Sequence, residues 1–231
     1  MKQAKIYSIL IAMGVALASC GDFFEFNEEP DSWDGVTMSL PLDSAYIMQG
    51  DSLPLVADFT PNNPNDTPVY WMLNDTTSGA LVGDTLLAVS PGVVHLTAIG
   101  GNGRLSKECT IFVIDRWNGE RLNIQYPSDM VVYGDVTVDG KPWNPQTQTL
   151  AAFVRGQLAG IGVARRAHDI DYVELRVWAG GDEYIGDVTF RLFDRAAHDL
   201  LTSEVTVPFQ GYKTYGTLSA LYPLTFTSSR K

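Results

Sequence analysis

The chain has 231 residues, 45% of them hydrophobic, and carries a formal net charge of −11. An acidic balance of that size excludes recognition of nucleic-acid phosphates, and of anionic lipid through a basic patch. The length is enough for two domains, and two cysteines are too few for a disulfide framework if one of them serves another purpose.

Taken in chain order, the first residues carry Lys2 and Lys5, then an apolar run from Ile6 to Leu17, then small residues. That is the three-part build of a secretory signal, and the run is shorter than the roughly 20 apolar residues a spanning helix needs. Its end, Leu17-Ala18-Ser19-Cys20, resembles a bacterial lipobox. The resemblance implies that residues 1–19 are removed as a signal peptide and that Cys20 is acylated and anchors the chain in a membrane. The remaining cysteine, Cys109, alternates with Ile111 and Val113, which puts it on the inward face of a strand as a buried, inert thiol.

Residues 20–35 mix acidic and aromatic side chains with no helical or strand period and read as a tether. Acidic residues just after the lipidated cysteine resemble the export signal of Bacteroidota-type surface lipoproteins. That implies a lipid-anchored protein of the outer membrane facing the cell exterior; a merely solvated linker is the alternative.

From Val36 onward short alternating segments are broken by Gly, Pro, Asn and Asp, and no helical period holds over three turns. The pattern predicts an all-β chain of two consecutive β-sandwich domains, at 36–115 and 121–231. In the first, strands are expected at Val36–Leu40, Ala45–Gln49, Leu53–Phe59, Val69–Leu73, Thr85–Val89, Val93–Ile99 and Glu108–Ile114, with a loop at Pro61–Pro68. The residues Gln49-Gly-Asp-Ser-Leu53, Val69-Tyr-Trp71, Gly83-Asp-Thr-Leu-Leu-Ala-Val-Ser-Pro-Gly92, Val94–Ala98 and Thr110–Val113 resemble the group 2 bacterial Ig-like domains. The resemblance implies a surface spacer or adhesion module with Trp71 as its buried core tryptophan. Asn74–Leu81 fits that pattern less well.

Turn residues and charge at Asp115–Arg121 mark a boundary. Beyond it strands are expected at Leu122–Tyr126, Met130–Val138, Leu150–Val154, Leu158–Ala164, Tyr172–Trp178, Ile185–Phe193, Leu200–Val207 and Leu221–Phe226. Segments such as Tyr126–Met130, Val136–Gly140, Leu150–Val154, Leu158–Gly162 and Phe190–Asp194 are similar to a β-sandwich module that recurs near the C-terminal ends of secreted Bacteroidota proteins. That likeness implies fold and location and supplies no site.

Catalytic chemistry finds little to work with. His95, His168 and His198 have no partner at metal-ligand spacing, and no metal or other cofactor is implied. There is no Gly-x-Ser-x-Gly elbow, and Gly160-Ile-Gly162 lies on a strand with no helix after it to receive a phosphate. Glu174, Asp182, Glu183 and Asp187 leave glycoside hydrolysis as a remote alternative.

The best candidate is a surface. Between Asp171 and Trp178 the period of two puts Val173, Leu175 and Val177 inward and Tyr172, Glu174, Arg176 and Trp178 outward. The next strand repeats the division, with Thr189, Arg191 and Phe193 outward. Two aromatic platforms around a carboxylate and a guanidinium are the residue types that stack on a sugar ring and bond its hydroxyls. Trp143, in a turn between prolines, is a second exposed aromatic. The competing reading packs Tyr172 and Trp178 against a crossing loop and pairs Glu174 with Arg176 or Arg191 across strands. The function expected is therefore a non-catalytic binding or adhesion module on the cell surface. Its ligand is either a glycan or another surface protein, the latter making the chain a structural or adhesive subunit.

Overall fold

The computed structural model describes residues 33–61, 67–180 and 185–228; the signal, Cys20 and nearly all of the tether lie outside them, as does most of the proline-rich loop at 61–68. In chain order the strands are β1 (Thr37–Ser39), β2 (Ser44–Met48), β3 (Ser52–Pro54), β4 (Asp58–Thr60), β5 (Tyr70–Leu73), β6 (Gly79–Leu81), β7 (Thr85–Ala88), β8 (Gly92–Gly100), β9 (Leu105–Ile114), β10 (Ser128–Val138), β11 (Lys141–Pro142), β12 (Gln148–Val154), β13 (Gln157–Ala167), β14 (Ile170–Ala179), β15 (Asp187–Asp194), β16 (Asp199–Pro208), β17 (Thr214–Tyr215) and β18 (Tyr222–Phe226). The chain is all-β, as its alternating pattern predicts.

Strand pairing divides along the sequence. β1 pairs with β4, β2-β9-β8-β5 form one sheet and β3-β7-β6 another, while everything from β10 onward joins a single nine-stranded sheet. In the first set Ala45, Ile47, Val94, Cys109, Ile111 and Val113 face Leu53, Leu86 and Ala88 across one core. Cys109 points inward, 6% exposed, where its alternation places it. Two expectations change here. The segment Leu53–Phe59 is not one strand: β3 and β4 belong to different sheets, and Pro54, which has no N–H to donate, closes the first. Trp71 is not sealed in the core but half-buried, because its strand β5 is a sheet edge and the opposing sheet of three- and four-residue strands is too small to cover it.

Three hairpins of the later set turn on two residues each: Asp139-Gly140, Arg155-Gly156 and His168-Asp169, all with positive φ. They close the pairs Val138 with Lys141, Val154 with Gln157 and Ala167 with Ile170. Left-handed conformation at both central residues gives the turn whose twist matches that of the strands, and it pins the register. Within β13, the first half pairs with β12 and the second half with β14. The strand thus carries the sheet around a corner, and Gly160 sits at that corner with the backbone of Arg176 and Val177 against it. The folded-over sheet encloses Met130, Val132, Val173, Leu175 and Val177 on one side and Leu150, Ala152, Phe190, Leu192 and Leu201 on the other.

Between the two sets, the expected strand at Leu122–Tyr126 is instead one helical turn, α1 (Leu122–Gln125), closed by Gln125 N–H donating to the Arg121 carbonyl at 3.0 Å and Tyr126 N–H to that of Leu122 at 3.1 Å. Leu122, Ile124 and Tyr126 alternate like a strand, but no sheet edge receives them, and Ile124 is 81% exposed. The connection is anchored by Trp117, whose ring meets Phe153 and Phe193 edge-on at centroid distances of 5.5 and 6.4 Å. Tyr46 N–H donates to the His198 carbonyl at 2.8 Å, and Arg195 pairs with Asp51 at 3.6 Å, so the described residues from Thr37 onward form one compact unit. Edge-on ring contacts are worth about 0.5–1.5 kcal/mol each beyond their buried area. Trp117→Ala is therefore expected to speed tryptic cleavage at Arg116 and Arg121 on the order of tenfold without loss of β-structure by circular dichroism. Equal cleavage rates would show that the ring does not hold the two sets of strands together.

Candidate functional site

The alternation on β14 is as the sequence predicts: Val173, Leu175 and Val177 are fully buried, while Tyr172, Glu174, Arg176 and Trp178 lie on the outer face. On that face the diagonal neighbours of an antiparallel sheet make the contacts. Arg165 of β13 pairs with Glu174 at 3.2 Å, Arg176 with Asp129 of β10 at 2.9 Å, and Arg176 also lies 3.9 Å from Glu174. The Tyr133 and Tyr172 rings meet edge-on at 5.8 Å, and the Arg176 guanidinium sits 6.0 Å from the Trp178 ring.

Trp143 joins Tyr172 through the way β10 is partnered. Along one edge β10 pairs with β14 from Ser128 to Gly134 and then with β11 at Thr137 and Val138, which leaves Asp135 and Val136 in a gap between the two partners. The gap opens as a cleft of about 440 Å³, lined by Trp143, Tyr172, Arg165, Arg166, Asp171 and Asp135. That volume falls in the ~300–1,000 Å³ range of small-ligand sites. Trp143 is held in place: its N–H donates to the Val136 carbonyl at 3.1 Å, and its ring packs against the core. The turn after it is fixed by Gln148 N–H donating to the Asn144 carbonyl at 2.8 Å, Asn144 N–H donating to Gln148 Oε1 at 2.8 Å, and the Gln148 amide donating to Asp194 at 2.7 Å. The tryptophan expected as an exposed loop aromatic is thus half-buried and pre-positioned. A platform of that kind loses little side-chain entropy on binding.

Trp178 does not belong to this cleft. It is six residues from Tyr172 along one strand, about 20 Å at ~3.3 Å per residue, and lines a separate hollow of about 370 Å³ with Tyr126, Arg155 and Leu158. Nor do Arg191 and Phe193 extend the face. β14 and β15 lie on opposite sides of the corner made by β13, so Arg191 cannot reach Glu174, and its guanidinium stacks instead over Phe153 at 4.8 Å. Phe193, expected outward, is 1% exposed because Trp117 covers it. Asp182 and Glu183 lie outside the described residues. His168 and His198 are turn residues with φ of 49° and 51°. Among the described residues no group of three or more His, Cys, Asp or Glu side chains could hold a metal ion. Asp139 and Asp75 have carboxyls held below the usual range by hydrogen bonds from Ser228 and Thr77 respectively, and neither lines the cleft.

A second cavity, about 300 Å³, lies under Trp71 in the first set of strands and is walled by Leu40, Leu53, Leu55, Cys109 and Ile111. Sequence reasoning missed it, since it follows from the short reach of β3 and β5 rather than from any motif. Its lining is apolar and offers little to orient a ligand.

Strand order and cleft together describe an all-β chain with an aromatic-lined cleft. No family model matches the chain. An uncharacterized protein of Clostridium acetobutylicum is 27% identical over 125 residues, 53% of this chain, and the match spans only 13% of that relative's length. Among solved structures, domains 4–9 of the surface layer protein SbsC are 11% identical over 77% of this chain and 31% of theirs, with a TM-score of 0.29. A Bacteroides ovatus mixed-linkage glucan utilization protein, solved with a heptasaccharide, is 16% identical over 77% and 47%, with a TM-score of 0.24. A tandem of titin Ig domains is 10% identical over 76% and 96%, with a TM-score of 0.23.

Proposed function

We propose that this chain is a non-catalytic glycan-binding lipoprotein, anchored in the outer membrane through Cys20, facing the cell exterior, and binding through the Trp143–Tyr172 cleft. The observation that carries the reading is the convergence of these two aromatic rings, from separate strands and turns, on one cleft rimmed by guanidinium and carboxylate groups. Flat rings cover the apolar face of a sugar, and charged planar groups bond its hydroxyls. Trp143→Ala and Tyr172→Ala are each expected to weaken glycan binding by about tenfold or more, on the order of 1.4 kcal/mol or above. Trp178→Ala, about 20 Å away, is expected to stay within about twofold. Calorimetric titration reads both, and an effect of Trp178 equal to that of Trp143 would move the site.

The anchor has its own test. Cys20→Ala is expected to shift the chain from the membrane fraction to the soluble fraction or leave it unprocessed, because multiple acyl chains, at about 0.8 kcal/mol per buried methylene, are the only membrane contact this reading gives it. Unchanged partitioning on fractionation would remove the lipoprotein reading.

A protein partner is the second reading. It is favoured by the edge strand β5, where Tyr70 and Met72 are 61% and 57% exposed on one face. An unpaired edge with outward apolar side chains suits addition of a partner strand.

A further inference from the structure

Resting on the glycan reading of the Trp143–Tyr172 cleft, we infer that its ligand is an uncharged polysaccharide segment rather than an acidic or an amino-sugar chain. The cleft's guanidinium groups are already engaged. Arg165 and Arg166 would be the groups to receive a uronate or a sulfate, yet Arg165 pairs with Glu174 at 3.2 Å, and Arg166 with Asp169 at 3.4 Å and Asp171 at 3.8 Å. With Asp135 also on the wall, the lining carries two guanidinium groups, Arg165 and Arg166, and two carboxylates, Asp135 and Asp171, so it is balanced in charge, in a chain of net charge −11. An anionic sugar would have to displace a carboxylate from each arginine and would approach a chain whose net charge has its own sign.

A cationic sugar meets the opposite obstacle. Of the two wall carboxylates Asp171 already faces Arg166 at 3.8 Å, and a further cation would stand beside both Arg165 and Arg166, which repel it. Each ion pair is largely exposed and contributes little by itself, and together the paired groups rim the cleft with hydrogen-bonding atoms. What remains unsatisfied is the apolar area of Trp143 and Tyr172, together with the outward N–H and carboxylate oxygen positions of the paired side chains. Those features match a pyranose that offers C–H groups on one face and hydroxyls at its edge, with no formal charge.

An ionic contribution to binding depends on salt, whereas stacking on the two rings does not. Surface charges are screened beyond a Debye length of about 8 Å at physiological ionic strength. The full chain, in detergent, would be titrated calorimetrically with glucan and mannan hexasaccharides, a galacturonan hexasaccharide and a deacetylated chitin hexasaccharide, each at low and at physiological salt. A neutral hexasaccharide is expected to bind tightest and to change less than about twofold with salt. The galacturonan is expected to bind at least about tenfold more weakly at low salt and to gain as salt rises. Trp143→Ala and Tyr172→Ala, checked for an unchanged thermal midpoint, should each weaken the neutral ligand; Tyr172 keeps the test open if loss of the core-packed Trp143 ring perturbs folding. Tightest binding of the galacturonan or the chitosan, with affinity falling as salt rises and still lost in Tyr172→Ala, would overturn the charge class and leave the site standing. Binding of no saccharide, or binding indifferent to both ring deletions, would overturn the site itself and this inference with it.

Discussion

Phe190→Ala is expected to lower the stability of the chain by about 3–5 kcal/mol, which for a unit of this size is a fall in melting temperature of roughly 6–20 °C. Phe190 is fully buried and sits opposite Ala152 in the register of β15 and β12. The small neighbour makes room for the ring, so removing the ring leaves a cavity that Ala152 cannot fill. Leu150, Leu192 and Leu175 around it are likewise fully buried and tied to paired strands, which limits how far the core can collapse. Chemical denaturation would give the value. A loss of less than about 1 kcal/mol would mean that the folded-over sheet closes on the space, contrary to a tightly packed core.

The second large effect is expected at Gly160, where β13 turns the corner from one layer to the other. A Cβ there would meet the carbonyl oxygen of Arg176 and lie 3.3 Å from Val177 Cα. These are backbone atoms of β14, so no rotamer change relieves the clash and the strands must separate. Overpacking of this kind costs about 1–3 kcal/mol and sometimes more. Because β14 carries Tyr172, and β13 carries Arg165, Gly160→Ala is expected to weaken glycan binding as well as stability, although Gly160 itself lines no part of the cleft. Gly180→Ala is the control: a Cβ there meets nothing within 4 Å, and its effect should stay within about 0.5 kcal/mol. If the two substitutions behaved alike in denaturation and in titration, the close crossing at the corner would not be what positions the site.

Much of this architecture is legible in the residues because a strand's side chains alternate with a strict period of two. That period places Val173, Leu175 and Val177 inward and Tyr172, Glu174, Arg176 and Trp178 outward without reference to any partner, and the same reasoning turns Cys109 toward its core. The turn at Asp139-Gly140 is local in origin too, since both residue types tolerate the positive φ it needs. Where periodicity misleads, the missing information is the neighbour. Leu122, Ile124 and Tyr126 alternate but have no sheet to join, Phe193 is covered by a tryptophan from the connecting segment, and Trp71 stands at an edge its opposing sheet does not reach.

The candidate site divides in the same way. Its residue types, two aromatics with guanidinium and carboxylate groups, and their outward direction along one strand are determined by the sequence, since they depend only on local backbone geometry. Which of them act together is decided by tertiary structure. Trp143 and Tyr172 line one cleft because β10 exchanges one edge partner for another and leaves a gap between them. Trp178 is set apart by the length of the strand it shares with Tyr172, and Arg191 by the corner that β13 makes at Gly160. A period of two tells which way a side chain points, but the pairing of distant strands, set by core packing and register, tells what it points at.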